Sequence, residues 1–136
     1  MNDWILVTGF GPFPGVDRNP AHVLAQQLAE TQFPQLDVIV RVLDVSFERS
    51  AEQMHSCLSQ KNSAPRALIH FGVSRDPQFR LEHRAINCKR ASVPDVDGAH
   101  FNGAPIDDNY ELVLEHLPRI ETTFPKLQGA MKRHRQ

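Results

Sequence analysis

Three short apolar runs, rich in β-branched residues, are separated by segments in which apolar side chains recur at helical spacing, and this pattern limits the folds open to the chain. "WILVT" (Trp4–Thr8), "DVIVRVL" (Asp37–Leu43) and "ALIHFGV" (Ala67–Val73) each read as strands, the first and third buried and ended by glycine. Between the first two, Asn19-Pro20 predicts an N-cap followed by proline at the first helical position. Val23, Leu24 and Leu28 supply the apolar stripe of a helix running to about Thr31, and Phe33-Pro34 closes it. Between the second and third, Phe47, Ala51, Met54 and Leu58 predict an amphipathic helix over about Ser46–Gln60. The order β-α-β-α-β requires parallel strands joined by right-handed crossovers, with helices packed on the sheet.

The loop after the first strand, "TGFGPFPGVDRNP" (Thr8–Pro20), then poses a chemical question. Its glycines suggest a phosphate cradle, but Gly9, Gly11 and Gly15 give G-x-G-x-x-x-G rather than G-x-G-x-x-G. Pro12 and Pro14 remove two N–H donors, the helix begins several residues too late, and no GK[ST] is present. A nucleotide-binding α/β domain is therefore disfavoured. Phe10 and Phe13 instead sit among stiff prolines just past the carboxyl end of a strand, where open α/β sheets place ligands. The two rings either wall a site for a small, flat, neutral ligand or pack beneath the loop, and composition does not choose between these.

After Pro77, "FRLEHRAIN" alternates, with Phe79, Leu81, His83 and Ala85 on one side and Arg80, Glu82, Arg84 and Ile86 on the other. It reads as a strand, and Glu82 on it is either an exposed edge residue or an acid at a site. Ser92–Pro105 reads as loop, Tyr110–Leu117 as a short helix or extended segment, and the last residues as helical. Asp95 and Asp97, ahead of Gly98, carry turn chemistry rather than a paired-carboxylate site.

Composition excludes several function classes. With 136 residues the chain is one domain's worth, and a net charge of −1 gives no reason to expect nucleic acid as a partner. The basic cluster in "MKRHRQ" reads as a solvated helix end. No apolar run is long enough to span a membrane and no secretory signal is evident. Two cysteines, Cys57 and Cys88, suit a reducing cytoplasm better than a disulfide scaffold. His22, His55, His70, His83, His100, His116 and His134 form no metal-binding spacing, so neither metal nor cofactor is expected, and His70 reads as a satisfied core histidine.

"ILVTGFGPFPGVDRNPA", followed about fifty residues later by "HFGVS", "LEHRAIN" and "PDVDG", resembles the pyroglutamyl-peptidase I (pyrrolidone-carboxylate peptidase) family from Trp4 to roughly Pro125. That resemblance implies a cytosolic cysteine peptidase that removes N-terminal pyroglutamate from peptides. It implies a three-layer α/β/α sandwich around a mostly parallel mixed sheet. By resemblance Glu82 matches the family's acid, Phe10, Phe13 and Asn19 match positions that form and brace the lactam pocket, and Phe71, Gly72 and Val73 match the backbone that contacts the lactam amide. A neutral lactam offers one N–H, one C=O and two flat faces, which aromatic walls and backbone hydrogen bonds recognise without a countercharge. Relatives of this kind form dimers or tetramers, so the resemblance allows a homo-oligomer.

The chain also departs from the family pattern. The family's nucleophile lies in a later motif like S-x-x-A-G-x-x-x-C-N and its histidine later still, and neither motif occurs here. Residues 1–136 therefore read as a single domain, the N-terminal two-thirds of the fold, incomplete at the C-terminus and catalytically incomplete. Cys57 falls on the helix with Met54 and Leu58, where small buried cysteines are common. Cys88, six residues beyond Glu82, would lie about 20 Å from it on an extended strand. Ser92 stands where many relatives carry an arginine, which puts a basic residue at the site in doubt. The alternative to a truncated peptidase is a non-catalytic module that binds pyroglutamyl or lactam groups, or serves interaction.

Overall fold

The computed structural model describes residues 3–82, 84–109 and 113–115. The elements follow the order β1 (Trp4–Phe10), α1 (Pro20–Glu30), β2 (Asp37–Leu43), α2 (Arg49–Ser59), β3 (Ala67–His70), β4 (Arg84–Ile86), β5 (Lys89–Arg90), β6 (Asn102–Ala104) and β7 (Val113–Glu115). They fall into two compact units, one built from residues 1–73 and 91–101, the other from 74–90 and 102–136.

In the first unit β1 lies between β2 and β3, and both pairings are parallel. This is the arrangement that the three apolar runs require, and it follows from the two helical crossovers. Trp4 and Leu6 turn to one face and pack with Cys57, Met54 and Leu58 of α2 and with Ile39 of β2. The Trp4 indole N–H donates to the Ser63 carbonyl at 2.9 Å, so this core residue leaves no polar atom without a partner. Ile5, Val7 and Gly9 alternate onto the opposite face, which α1 covers. Helix, sheet and helix thus form three layers.

The stripe that α1 buries is narrower than its large apolar residues suggest. Ala21 and Ala25 are the buried residues, while Val23, Leu24 and Leu28 are half-buried. The reason is the close approach of the helix to β1 at Gly9. A Cβ there would stand 2.3 Å from the Ala21 carbonyl oxygen and 2.9 Å from the Ala25 Cβ. Only small residues on both sides permit such a distance.

Several boundaries differ from the sequence expectations. α2 starts at Arg49 rather than Ser46, because Ser46 serves as the entry to the helix. Its hydroxyl accepts from the Arg49 N–H at 3.0 Å and its carbonyl from the Ser50 N–H at 3.1 Å. β3 ends at His70 instead of Val73. The expected strand from Phe79 is corrected more sharply: residues 74–82 carry no regular structure and only Arg84–Ile86 pairs, antiparallel with Val113–Glu115. Side-chain turns replace the ladder there, with Ser74 Oγ accepting from the Asp76 N–H and Asp76 Oδ1 from the Gln78 N–H. β7 makes part of Tyr110–Leu117 extended. The helix expected in the last residues lies outside the described ones.

Asn87 closes the second unit. Its side-chain oxygen accepts from the Ile106 and Asp107 N–H groups, both at 2.9 Å, and its amide donates to the Asp107 carbonyl at 2.7 Å. β5 pairs with β6 in the same unit. No helix among the described residues is long and apolar enough to cross a membrane.

Candidate functional site

The carboxyl ends of β1, β2 and β3 lie side by side, and the Pro-rich loop leaves from the central one. The Gly11 N–H donates to the Leu43 carbonyl at 2.9 Å, which fastens the loop to the end of β2. Phe13 and Val16 then pair with each other, N–H to carbonyl in both directions, at 3.2 and 2.8 Å. Pro14 and Gly15 make the turn between them, and Gly15 has φ 85°, the left-handed value that a type II turn demands at that place. The prolines therefore shape the turn that holds Phe13.

Asn19 secures the other end of the loop. Its Oδ1 accepts from the Ala21 N–H at 3.0 Å as the N-cap of α1, and its Nδ2 donates to the Gly11 carbonyl at 2.9 Å. The residue is 1% exposed. One buried amide thus ties the helix start to the turn between Phe10 and Phe13. Both rings are half-buried, so each keeps a surface toward solvent.

Beside this loop, the Phe71 N–H donates to the Thr8 carbonyl at 2.8 Å. That donor serves the sheet, and the next two residues, Gly72 and Val73, are exposed. His70 is not the core residue that its apolar neighbours suggested. It is exposed, and its Nδ1 lies 2.7 Å from the hydroxyl of Thr8, which is fully buried. Sequence reasoning missed this pair because 62 residues separate its members. Only the parallel register of β1 and β3, which sets Thr8 opposite His70, brings them together.

Glu82 is exposed and lies outside any strand, in the unit formed by residues 74–90 and 102–136. The structure thus gathers Phe10, Phe13, Asn19, Phe71, Gly72 and Val73 in one unit, and Glu82 belongs to the other. His83 lies outside the described residues. Cys57 is buried in the α2 core, and Cys88 is half-buried with its backbone N–H on the Ile86 carbonyl at 2.8 Å. Among the described residues no group of three His, Cys, Asp or Glu could hold a metal.

Asp95 and Asp97 have the turn role read from their spacing, extended by a long-range one. Asp95 Oδ1 accepts from the Asp97 and Ala99 N–H groups at 3.0 and 2.8 Å, while Oδ2 accepts from the Phe47 N–H at 3.0 Å. The Phe47 N–H first, then those of Ala99 and Asp97, hold the Asp95 carboxyl below the usual carboxylate range against the opposing effect of burial. Arg49 reaches Asp44 at 3.0 Å and Asp97 at 2.7 Å. The hydrogen bond from Arg49 is the main reason Asp97 is also held low. Phe47 and Phe101 meet edge to face, with centroids 5.2 Å apart. Residues 91–101 are thereby locked to the entry of α2.

The sequence profile of the pyroglutamyl peptidase family matches residues 3–113. The chain belongs to the pyroglutamyl peptidase family. It is 32% identical to the pyrrolidone-carboxylate peptidase of Pyrococcus furiosus over 103 residues, which is 75% of this chain and 49% of that one. With the Thermococcus litoralis protein of the same name it shares 32% over 108 residues, 79% of this chain and 46% of the relative. The crystal structure of pyrrolidone carboxyl peptidase from Fervidobacterium islandicum superposes with a TM-score of 0.85 at 27% identity, over 95% of this chain and 62% of the other. A mutant of the Pyrococcus furiosus enzyme gives 0.82 at 28%, over 93% and 61%. The chain spans about half the length of the curated relatives it matches.

Proposed function

We propose that this pyroglutamyl peptidase family chain carries the family's substrate pocket and acid without its nucleophile and base, and binds the pyroglutamyl group at the N-terminus of peptides without hydrolysing it at a useful rate. The observation that carries the reading is the loop from Phe10 to Asn19. Two aromatic rings stand at the carboxyl end of the central strand, fixed by a Pro-Gly turn and a buried asparagine. Phe10 and Phe13 serve as walls for the flat faces of the lactam, and the Gly72 and Val73 amides, with the Phe71 carbonyl, serve its C=O and N–H. Asn19 acts by bracing the loop. Glu82 takes the place of the acid that would orient a histidine.

Neither cysteine suits the nucleophile's role in this reading. Cys57 is buried in the core behind the sheet, and Cys88 lies outside any motif that resembles the family's nucleophile. Removing a nucleophile or base from such an apparatus costs several orders of magnitude in rate. Two unbridged cysteines fit a cytoplasmic setting. Nothing in the net charge of −1 favours nucleic acid, and self-association is the oligomeric behaviour to test by sedimentation.

Two measurements test the proposal. A chromogenic pyroglutamyl amide should show no turnover above background, and turnover abolished by Cys88→Ser would overturn the claim of missing chemistry. Calorimetry with free pyroglutamate should detect binding that Phe13→Ala weakens about tenfold or more, the loss of one stacking wall. Affinity unchanged by Phe13→Ala would remove the loop from the site.

A further inference from the structure

An asparagine side chain is open to attack by the main-chain nitrogen of the residue that follows it, and glycine presents that nitrogen with no Cβ in the way. Asn102 is the one asparagine in the chain that precedes a glycine. Elsewhere the reacting groups are withheld. Asn19 precedes a proline, which has no N–H to give up, and the side chains of Asn87 and Asn109 are hydrogen-bonded. Asp97-Gly98, the comparable acidic pair, is held at both ends: Arg49 binds the carboxylate at 2.7 and 2.9 Å, and the Gly98 N–H donates to the Asp95 carbonyl at 3.0 Å.

Asn102-Gly103 is built differently. β6 is exposed along its whole length, and no hydrogen bond engages the Asn102 side chain among the described residues. The register passes from Asn102 opposite Arg90 to Ala104 opposite Lys89, so Gly103 is the extra residue of a bulge and has no residue opposite it. Its φ of 110° is one that glycine adopts without strain. Among the described residues β5 and β6 pair only with each other, and so short a two-stranded ribbon opens at little cost. Arg90 Nη2 lies 3.3 Å from where a Cβ on Gly103 would stand, which sets a permanent positive charge beside the peptide that must react.

We propose that Asn102-Gly103 is a self-modification site. The Gly103 nitrogen gives up its proton and bonds to Asn102 Cγ, the Cγ–Nδ2 bond breaks, and the amide nitrogen leaves as ammonia with that proton. The five-membered succinimide then takes up one water. Opening at one carbonyl leaves aspartate, and opening at the other leaves isoaspartate, in which the main chain runs on through the side-chain carbon. Arg90 stabilises the negative charge that develops on the nitrogen and then on the side-chain oxygen. Either product replaces an amide by a carboxylate and takes the formal net charge from −1 to −2. Isoaspartate also adds a main-chain carbon at the bulge and throws Ala104 out of register with Lys89. The reaction does not involve the Phe10–Phe13 loop, so it stands apart from the ligand proposed above.

The test incubates the folded 136-residue chain at mildly alkaline pH and follows its tryptic peptides by mass spectrometry. Residues 91–119 carry Asn102 together with Asp97, and residues 62–66 carry Asn62-Ser63, a comparator whose attacking nitrogen is shielded by a side chain. Amide loss at Asn102 should be at least tenfold faster than at Asn62, rise in proportion to hydroxide, and give isoaspartate in excess of aspartate by electron-transfer fragmentation. Asp97 should stay unisomerised. The folded chain should react within about tenfold of the rate of the same chain in urea, because the ribbon opens readily. Arg90→Gln should slow the reaction severalfold in the folded chain, should have no effect in urea, and should be rescued by Arg90→Lys. Gly103→Ala should slow it at least tenfold, and the folded-against-urea comparison, which needs no variant, keeps the test decisive if that variant fails to fold. Loss no faster than at Asn62, a folded chain more than tenfold slower than the chain in urea, aspartate without isoaspartate, or equal isomerisation at Asp97 would each overturn the proposal. An Arg90→Gln rate equal to that of the unaltered folded chain would remove Arg90 from the step.

Discussion

Substituting Gly9 by alanine probes the contact on which the α1 layer depends. The new Cβ would lie 2.3 Å from the Ala21 carbonyl oxygen, 2.9 Å from the Ala25 Cβ and 3.0 Å from the Ala21 carbonyl carbon. Ordinary contact begins near 3.4 Å, so the helix must retreat by about 1 Å. The obstacle is backbone, which no rotamer change can move, so the overpacking cost belongs at the upper end of the usual range, about 3 kcal/mol. Retreat also stretches the two Asn19 hydrogen bonds, at 3.0 and 2.9 Å, which adds about 1 kcal/mol. A total of about 4 kcal/mol is a large share of a typical domain's stability and corresponds to a Tm fall of roughly 12–20 °C. Urea unfolding followed by the single, buried tryptophan Trp4 measures the effect directly. Gly72→Ala is the matched control: a Cβ there meets nothing within 4 Å, so its midpoint should move by no more than about 0.5 kcal/mol. Adding Ala25→Gly to Gly9→Ala should not restore stability, because the tightest contact is with the Ala21 carbonyl. A Gly9→Ala midpoint equal to that of the unaltered chain, or full rescue by Ala25→Gly, would refute the close helix-strand approach.

Asn19→Ala should cost about 2–4 kcal/mol in urea unfolding, the sum of a lost cap and an unsatisfied Gly11 carbonyl. Asn19→Asp should retain the cap but still disturb the loop, because a carboxylate oxygen would face that carbonyl. The Asp95 carboxyl is lowered in the folded state, so its stabilisation is complete above the unfolded carboxylate pKa and disappears as pH falls through the lower folded value. Urea midpoints should be level from neutral pH to about 5 and drop below about 4, and Asp95→Asn should flatten that acid limb while lowering the midpoint at pH 7. A midpoint that Asp95→Asn leaves unchanged would show that Phe47 and residues 95–99 are not joined through this carboxylate. Trp4→Phe should cost about 2 kcal/mol by circular dichroism, from the lost bond to Ser63 and the space left in the α2 core.

What was legible in the sequence was whatever neighbouring residues decide among themselves. β2 has the bounds read from "DVIVRVL", and α1 begins at the Asn19-Pro20 signal, because strand patterning and capping are local. The exclusion of a phosphate cradle was equally local, since a proline lacks its N–H wherever it is placed. The Phe79–Glu82 segment misled for the opposite reason. Alternating side chains admit a strand but do not supply a partner, and Asp76 organises the preceding residues as a turn instead.

The bracing of the candidate site illustrates the same division. The cap bond of Asn19 could be read from its place before Pro20, but its second bond, to Gly11, depends on how the loop folds back. His70 looked buried because its neighbours are apolar, yet exposure depends on what covers β3, which no local pattern records. The lock of Asp95 on Phe47 joins residues 48 apart.

By itself, then, the sequence determined the β-α-β-α-β order, the parallel sheet that follows from it, and a Pro-stiffened aromatic loop at the end of the central strand. These follow from backbone sterics and side-chain periodicity, which act within a few residues. Only the tertiary structure decided that α1 lies against Gly9, that Thr8 meets His70, that residues 91–101 are tied to α2 and that Leu68 and Ile69 of β3 are exposed. Each of these depends on distances between segments far apart in the chain, and such distances are settled only when the layers pack.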